Sequence, residues 1–212
     1  MSAALRLIDV CKTFVLHHQG GARLAVLDRL SLEVDAGTCV ALVGRSGLGK
    51  STALRIAYGN YGADSGQVLV HAGGQTVYVA RAVPRQIMRL RRDTIGHVSQ
   101  FLRVIPRVPT LQIVSDAARR AGASETHARR RAQDVLEKLN IPAALWPLPP
   151  TTFSGGEQQR VNLARVLVVP FPVLLLDEPT ASLDRDNRAA AVSLIDEARR
   201  RGAAILGIFH DG

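Results

Sequence analysis

The stretch Val40-Ala41-Leu42-Val43-Gly44-Arg45-Ser46-Gly47-Leu48-Gly49-Lys50-Ser51-Thr52 decides the fold. An apolar run enters a glycine-rich loop, and the loop opens a helix through Ala53-Leu54-Arg55-Ile56-Ala57. The spacing G-x-x-x-x-G-K-[ST] is that of a phosphate-binding loop. Gly44, Gly47 and Gly49 let the backbone turn and aim its N–H groups at an oligophosphate. The helix that follows adds the positive end of its dipole. Lys50 has the charge and reach for the outer phosphates, and the Ser51 hydroxyl suits Mg2+. A plain strand-to-helix turn with an incidental lysine would not require strand, loop and helix in this order.

Downstream, Val173-Leu174-Leu175-Leu176 is the continuous apolar run of a strand buried on both faces, and Asp177-Glu178 ends it. Carboxylates at the end of a parallel strand lie beside the phosphate loop in such folds. Asp177 is placed to hold Mg2+, and Glu178 to orient and deprotonate a water attacking the γ-phosphate. The simpler alternative is that two acids cap the next turn. A further signal is Phe153-Ser154-Gly155-Gly156-Glu157-Gln158-Gln159-Arg160. Ser154 and Glu157 have capping-box spacing, and the two glycines expose backbone N–H groups at the helix start. One chain then carries two anion-binding helix ends, more than one nucleotide needs.

The rest of the chain supplies the frame. Residues 5–10 and 24–34 alternate like strands, and 68–70 with 77–79 read as a hairpin around Gly73-Gly74. Pro84 opens a basic helix with Arg85, Arg89, Arg91 and Arg92, mostly a solvated face. A strand over 94–99 ends at Gln100; residues 111–139, 156–168 and 185–201 read as helices, and 203–209 as the last strand. His17-His18 reads as a solvated turn rather than a metal site.

The 212 residues suffice for one large domain with an inserted subdomain, and 47% hydrophobic content suffices for its core. No apolar run approaches the roughly 20 residues of a membrane span, and the N-terminus lacks signal-peptide regions. Cys11 and Cys39 read as free buried thiols in a cytoplasmic protein. The net charge of +9 is nearly all arginine, since only Lys12, Lys50 and Lys138 are lysines. The basic residues are spread over several helices rather than gathered in one tract, which disfavours nucleic acid as the partner.

Phe-Ser-Gly-Gly-Glu at 153–157 resembles Leu-Ser-Gly-Gly-Gln, the signature of ABC-type ATPases, and the resemblance covers nearly the whole chain. It implies an α/β P-loop NTPase of ABC type: a RecA-like core, an N-terminal antiparallel β subdomain and an inserted helical subdomain. The expected boundaries are about 1–35 and 66–80 for the β subdomain, about 36–65, 84–100 and 165–212 for the nucleotide-binding core, and about 101–164 for the helical signature subdomain. It also assigns roles. Phe14 stacks on adenine; residues 44–52 form the Walker A loop; Gln100 touches the metal and the attacking water. Asp177 and Glu178 are the Walker B pair, Asp184 belongs to the D-loop, and His210 is the switch histidine that contacts the γ-phosphate. In the family two domains face head to tail, and Ser154, Gly155 and Gly156 of one cover the ATP bound by the other. The implied ligands are ATP and Mg2+, and the implied assembly is a homodimer or ABC heterodimer.

Four segments resemble PhnL, the ABC proteins of the bacterial carbon–phosphorus lyase system: 13–17, 98–107, 154–162 and 207–211. That resemblance implies partners among the other lyase subunits, a second ABC protein included. It also implies a place in ribose 1-methylphosphonate 5-triphosphate synthase, where ATP and phosphonate are joined in phosphonate catabolism. The alternative is the nucleotide-binding motor of an ABC membrane transporter, which shares every ATP motif. A non-hydrolysing assembly module is disfavoured by the presence of Lys50, Asp177, Glu178 and His210. The chain ends two residues after His210, where the family usually continues, so a truncated C-terminus is expected.

Overall fold

Two sheets sandwich the helix that follows the phosphate loop. A computed structural model describes residues 3–16, 18, 20–45, 47–100 and 106–209. The first sheet is antiparallel, in the order β2 (Ala22–Val34), β1 (Leu5–Leu16), β4 (Ser65–Ala72), β5 (Gln75–Tyr78). The second is parallel, in the order β3 (Cys39–Ala41), β8 (Ala204–Ile208), β7 (Val173–Asp177), β6 (Ile95–Val98). Helix α1 (Lys50–Ala57) leaves the phosphate loop and buries Ala53, Leu54, Ile56 and Ala57 between the sheets.

The alternation of β7 explains the layering. Val173 and Leu175 join α1 and the antiparallel sheet in one core, while Leu174 and Leu176 face a second core built on helices. Both faces are covered, so every residue of β7 is buried, as its continuous apolar run requires. Each fully buried leucine there contributes about 1.5–3 kcal/mol of transfer free energy. The second core is lined by α3 (Thr110–Arg120), α4 (Glu125–Lys138), α5 (Gly155–Leu167) and α6 (Arg185–Arg200). Helix α2 (Pro84–Asp93) precedes β6, with the Val83 N–H donating to Gln86 Oε1 at 3.0 Å across its first turn. Among the described residues no helix is long and apolar enough to cross a membrane.

Three expectations need correction. The helical stretch expected over 111–139 is two helices, broken at residues 121–124, where Ser124 caps α4 by accepting from the His127 N–H. The hairpin's second strand stops at Tyr78, and Val79–Arg81 is a 3₁₀ turn that buries Val79. Cys39 is exposed and Cys11 half-buried, so the free thiols are not core groups: short β3 lies at the sheet's edge. Arg85, Arg89 and Arg92 form the expected solvated face, while Arg91 is half-buried. It donates to the Tyr58 carbonyl at 3.1 Å, the Gly59 carbonyl at 2.9 Å and Asn60 Oδ1 at 2.8 Å, with its guanidinium 4.7 Å from the Tyr58 ring centre.

Candidate functional site

The loop from β3 to α1 is built on left-handed glycines. Gly49 has φ 80° and forms the N-cap of α1 without any side-chain cap, and the first turn carries no acidic residue. A Cβ at Gly49 would lie 2.6 Å from the Val26 carbonyl oxygen, so the loop is pressed against β2 and admits only glycine. The helix start therefore presents backbone donors with no competing carboxylate from its own turn, the condition for binding an anion. Arg45, Gly47 and Leu48 are exposed on the loop, and Thr52 is half-buried in the first turn of α1. Lys50 folds over this surface, its ammonium donating to the Gly44 carbonyl and, at 2.7 Å, to the Arg45 carbonyl. Ser46 and His210 lie outside the described residues.

The end of β7 meets α1 here. The Ser51 hydroxyl donates to Asp177 Oδ1 at 3.0 Å. Asp177 is buried, and burial pushes its carboxyl above the usual range; the Glu178 charge adds to this, while the Ser51 hydrogen bond, Arg55 and Lys50 oppose it. A buried carboxylate beside a second acid and a serine hydroxyl is a hard-oxygen set that a divalent cation would relieve. Two protein oxygens suit Mg2+, which keeps waters and substrate phosphate oxygens in its remaining positions. Ser51 and Asp177 thus fit Mg2+ as ligands.

Glu178 adopts φ 51°, a left-handed conformation unusual for glutamate. Its N–H donates to the Ile208 carbonyl at 3.1 Å, so the ends of β7 and β8 hold it. The Gln100 amide donates to Glu178 Oε2 at 3.3 Å. Gln100 and Glu178 are therefore brought together, as are Ser51 and Asp177. Phe14 stands apart on β1, packed edge-to-face with Tyr61 at 5.5 Å between ring centres and with the Lys12 ammonium 5.4 Å from its ring centre. Asp64 anchors this strand end, accepting from Lys12 at 2.8 Å and the Thr13 N–H at 2.6 Å. Hydrogen bonds from these groups hold the Asp64 carboxyl below the usual carboxylate range.

The other glycine-bearing helix start belongs to α5. Ser154 caps it, and Glu157 Oε2 accepts from the Ser154 N–H at 2.9 Å and its hydroxyl at 2.7 Å. These bonds hold Glu157 below the usual carboxylate range. A Cβ at Gly156 would lie 2.9 Å from the Ser182 carbonyl oxygen, so this helix start packs directly on the segment leading to Asp184. Gly155 has open space at the same point. Asp184 caps α6, accepting from the Asn187 N–H at 2.9 Å and its amide at 2.8 Å. Among the described residues no hydrogen bond joins Ser154, Gly155, Gly156 or Asp184 to the 44–52 loop of the same chain.

A cavity of about 600 Å3 lies away from this loop. Residues of α2, β6, α3 and α5 line it, Tyr58, Arg91, His97, Arg120 and Arg165 among them. Burial, with the Arg165, Arg55 and Arg91 charges, lowers the His97 pKa to about 4. Sequence reading missed this cluster because its histidine and arginines are scattered over separate elements.

Comparison with known proteins places the geometry in context. A family model described as ABC transporter matches residues 27–181. The macrolide export ATP-binding/permease protein MacB of Bradyrhizobium diazoefficiens is 34% identical over 207 residues, 98% of this chain and 30% of that protein. MacB of Salmonella typhimurium is 33% identical over 205 residues, 97% of this chain and 31% of that protein. The chain therefore spans about a third of the length of these relatives. Among solved structures, the dimeric post-hydrolysis state of the ATP-binding cassette MJ0796 bound to ADP and Pi superposes with a TM-score of 0.87 at 27% identity, covering 98% of this chain and 88% of that one. A dimeric structure of MJ0796, described as a bacterial ABC transporter cassette, gives a TM-score of 0.88 with the same identity and coverage.

Proposed function

Because the chain belongs to the ABC transporter family of ATP-binding domains, we propose that it hydrolyses ATP at a site completed by a second cassette. The observation that carries the reading is the 3.0 Å contact between Ser51 and Asp177, which joins an uncapped helix start to the acidic end of β7. The loop and Lys50 bind the phosphates; Ser51, Asp177 and Gln100 would hold Mg2+, which would supply charge neutralisation. Phe14 stacks on adenine. Glu178 takes a proton from the attacking water as its oxygen bonds to the γ-phosphorus. The bond from that phosphorus to the β–γ bridging oxygen breaks, its electron pair leaves with ADP, and phosphate is released. His210 contacts the γ-phosphate. Ser154, Gly155 and Gly156, with Asp184, act on the nucleotide of the partner cassette.

The division into a β subdomain, a nucleotide-binding core and a helical signature subdomain, with the boundaries stated above, belongs to the same proposal. Glu178→Gln tests the chemistry. ATP binding should persist while kcat falls about 10²–10⁴-fold, the range for loss of a general base; turnover at the wild-type rate removes Glu178 from the role.

The assembly it drives has two readings. The comparisons support a transporter motor on the cytoplasmic face of a membrane, since the relatives carry a permease in the same protein. The segments 13–17, 98–107, 154–162 and 207–211 favour instead a PhnL-like role in phosphonate catabolism. Affinity purification from the native cell separates them. A multi-span permease supports the first, and soluble carbon–phosphorus lyase subunits with a second ABC protein support the other.

A further inference from the structure

Buried polar side chains are few and strongly localised. The buried polar or charged residues among those described are Thr110, Gln159, Arg160, Asn162 and Asp177, and three of them fall within four positions of α5. All three donate to main-chain carbonyls outside their own helix. The Gln159 amide donates to the Pro179 carbonyl at 3.2 Å and the Glu178 carbonyl at 3.4 Å. The Asn162 amide donates to the Ser99 carbonyl at 2.7 Å. Arg160 donates to the Leu139 carbonyl at 3.0 Å, the Asn140 carbonyl and, at 3.2 Å, Asn187 Oδ1.

These acceptors are not random parts of the backbone. Glu178 is held in its left-handed conformation from both sides, its N–H on the Ile208 carbonyl and its own carbonyl on Gln159. Ser99 immediately precedes Gln100, the residue whose amide reaches Glu178 Oε2. Replacing one of these amides by an apolar group of the same shape would leave its acceptor carbonyl unpaired, at a cost of about 1–3 kcal/mol where that carbonyl is buried. The Gln159 and Asn162 donors, unlike those of Arg160, are aimed at the two peptide segments that carry the reacting side chains.

We propose that Gln159 and Asn162 are positioning residues for hydrolysis, fixing the backbone at Glu178 and before Gln100 so that both side chains converge on the attacking water. The inference rests on the reading of Glu178 as the base. It gives α5 a double task. On the proposed function its N-terminus, at Ser154–Glu157, faces the partner's nucleotide, while the next turn grips this chain's own hydrolytic pair.

The test is steady-state hydrolysis of MgATP by the full chain, comparing wild type with Gln159→Leu and Asn162→Leu, alone and combined with Glu178→Gln. Each single variant should lower kcat about 10- to 100-fold while KM for ATP stays within about 3-fold, the pattern of an interaction used in the transition state. In the Glu178→Gln background Gln159→Leu should change the residual rate less than about 3-fold, because both act through one group. Should Gln159→Leu not fold, as judged by its thermal melt, Gln159→Met keeps the unbranched shape without the donor and serves instead. A full-rate Gln159 variant, or an equal loss in both backgrounds, overturns the positioning role. A wild-type chain that binds ATP without hydrolysing it overturns the functional reading beneath it.

Discussion

The starts of α1 and α5 both carry glycines, Gly49 as the cap of α1 and Gly155-Gly156 as the first residues of α5, and finish in opposite electrostatic states. At α1 the cap is Gly49, the first turn has no acid, and the Lys50 ammonium donates to the loop carbonyls of Gly44 and Arg45. At α5 the cap is Ser154, and the carboxylate of Glu157 already accepts from both its N–H and its hydroxyl. One start is open to an anion and the other is satisfied by an internal one. The difference teaches that an anion-binding helix end is defined by what its own side chains leave unclaimed, not by glycine content. It also fits a division of labour in which α1 holds the nucleotide and α5 meets it later, exchanging an internal contact for an external one.

That contrast is broken most severely at α1. Lys50→Ala removes the charge and should weaken ATP binding about 30- to 100-fold, as expected for lost charge-assisted contacts; titration calorimetry reads it, and unchanged affinity would remove the loop from phosphate binding. At α5 the change has the opposite sign. Glu157→Gln keeps the capping geometry and removes a negative charge where a phosphate is to arrive. It should raise the apparent ATP affinity of the assembled pair about 5-fold, the scale of one exposed charge. A decrease would mean that Glu157 itself assists the nucleotide.

Smaller effects appear in stability. Ser154→Ala should cost about 1 kcal/mol and lower Tm by about 2–4 °C, the usual loss for an N-cap, with ATP binding by the isolated chain unchanged. The capping box is also acid-sensitive. Glu157 is held below its ordinary pKa by the Ser154 hydrogen bonds, so its contribution is complete above the unfolded-state value and is lost as pH falls through the lowered folded value. Amide exchange at 155–157 should therefore quicken in acid relative to exchange at 50–53, where no carboxylate caps the helix.

The phosphate loop was legible because its function demands residue types that little else requires: glycines at fixed intervals, then Lys50-Ser51. Strand β7 was legible for a similar reason, since burial on both faces forces a continuous apolar run. The groups that organise the site were not. Gln159, Arg160 and Asn162 look like a polar helix face, and their burial follows from carbonyls contributed by residues 99, 139–140 and 178–179. Which arginine of α2 turns inward was hidden in the same way, the acceptors of Arg91 being Tyr58, Gly59 and Asn60. The break between α3 and α4 is locally encoded, by Gly122 at φ 97° after α3 and by the Ser124 cap of α4; the alanines on both sides of Gly122 hid it by continuing the helical pattern.

The central claim is that this chain supplies half of a composite ATP site. Light scattering of the Glu178→Gln chain, in which bound ATP is not consumed, tests it most directly. With MgATP the mass should rise to twice the 22.8 kDa of the single chain, and with ADP it should return to that of one chain. A Glu178→Gln protein that binds ATP and remains at the mass of one chain would contradict the account.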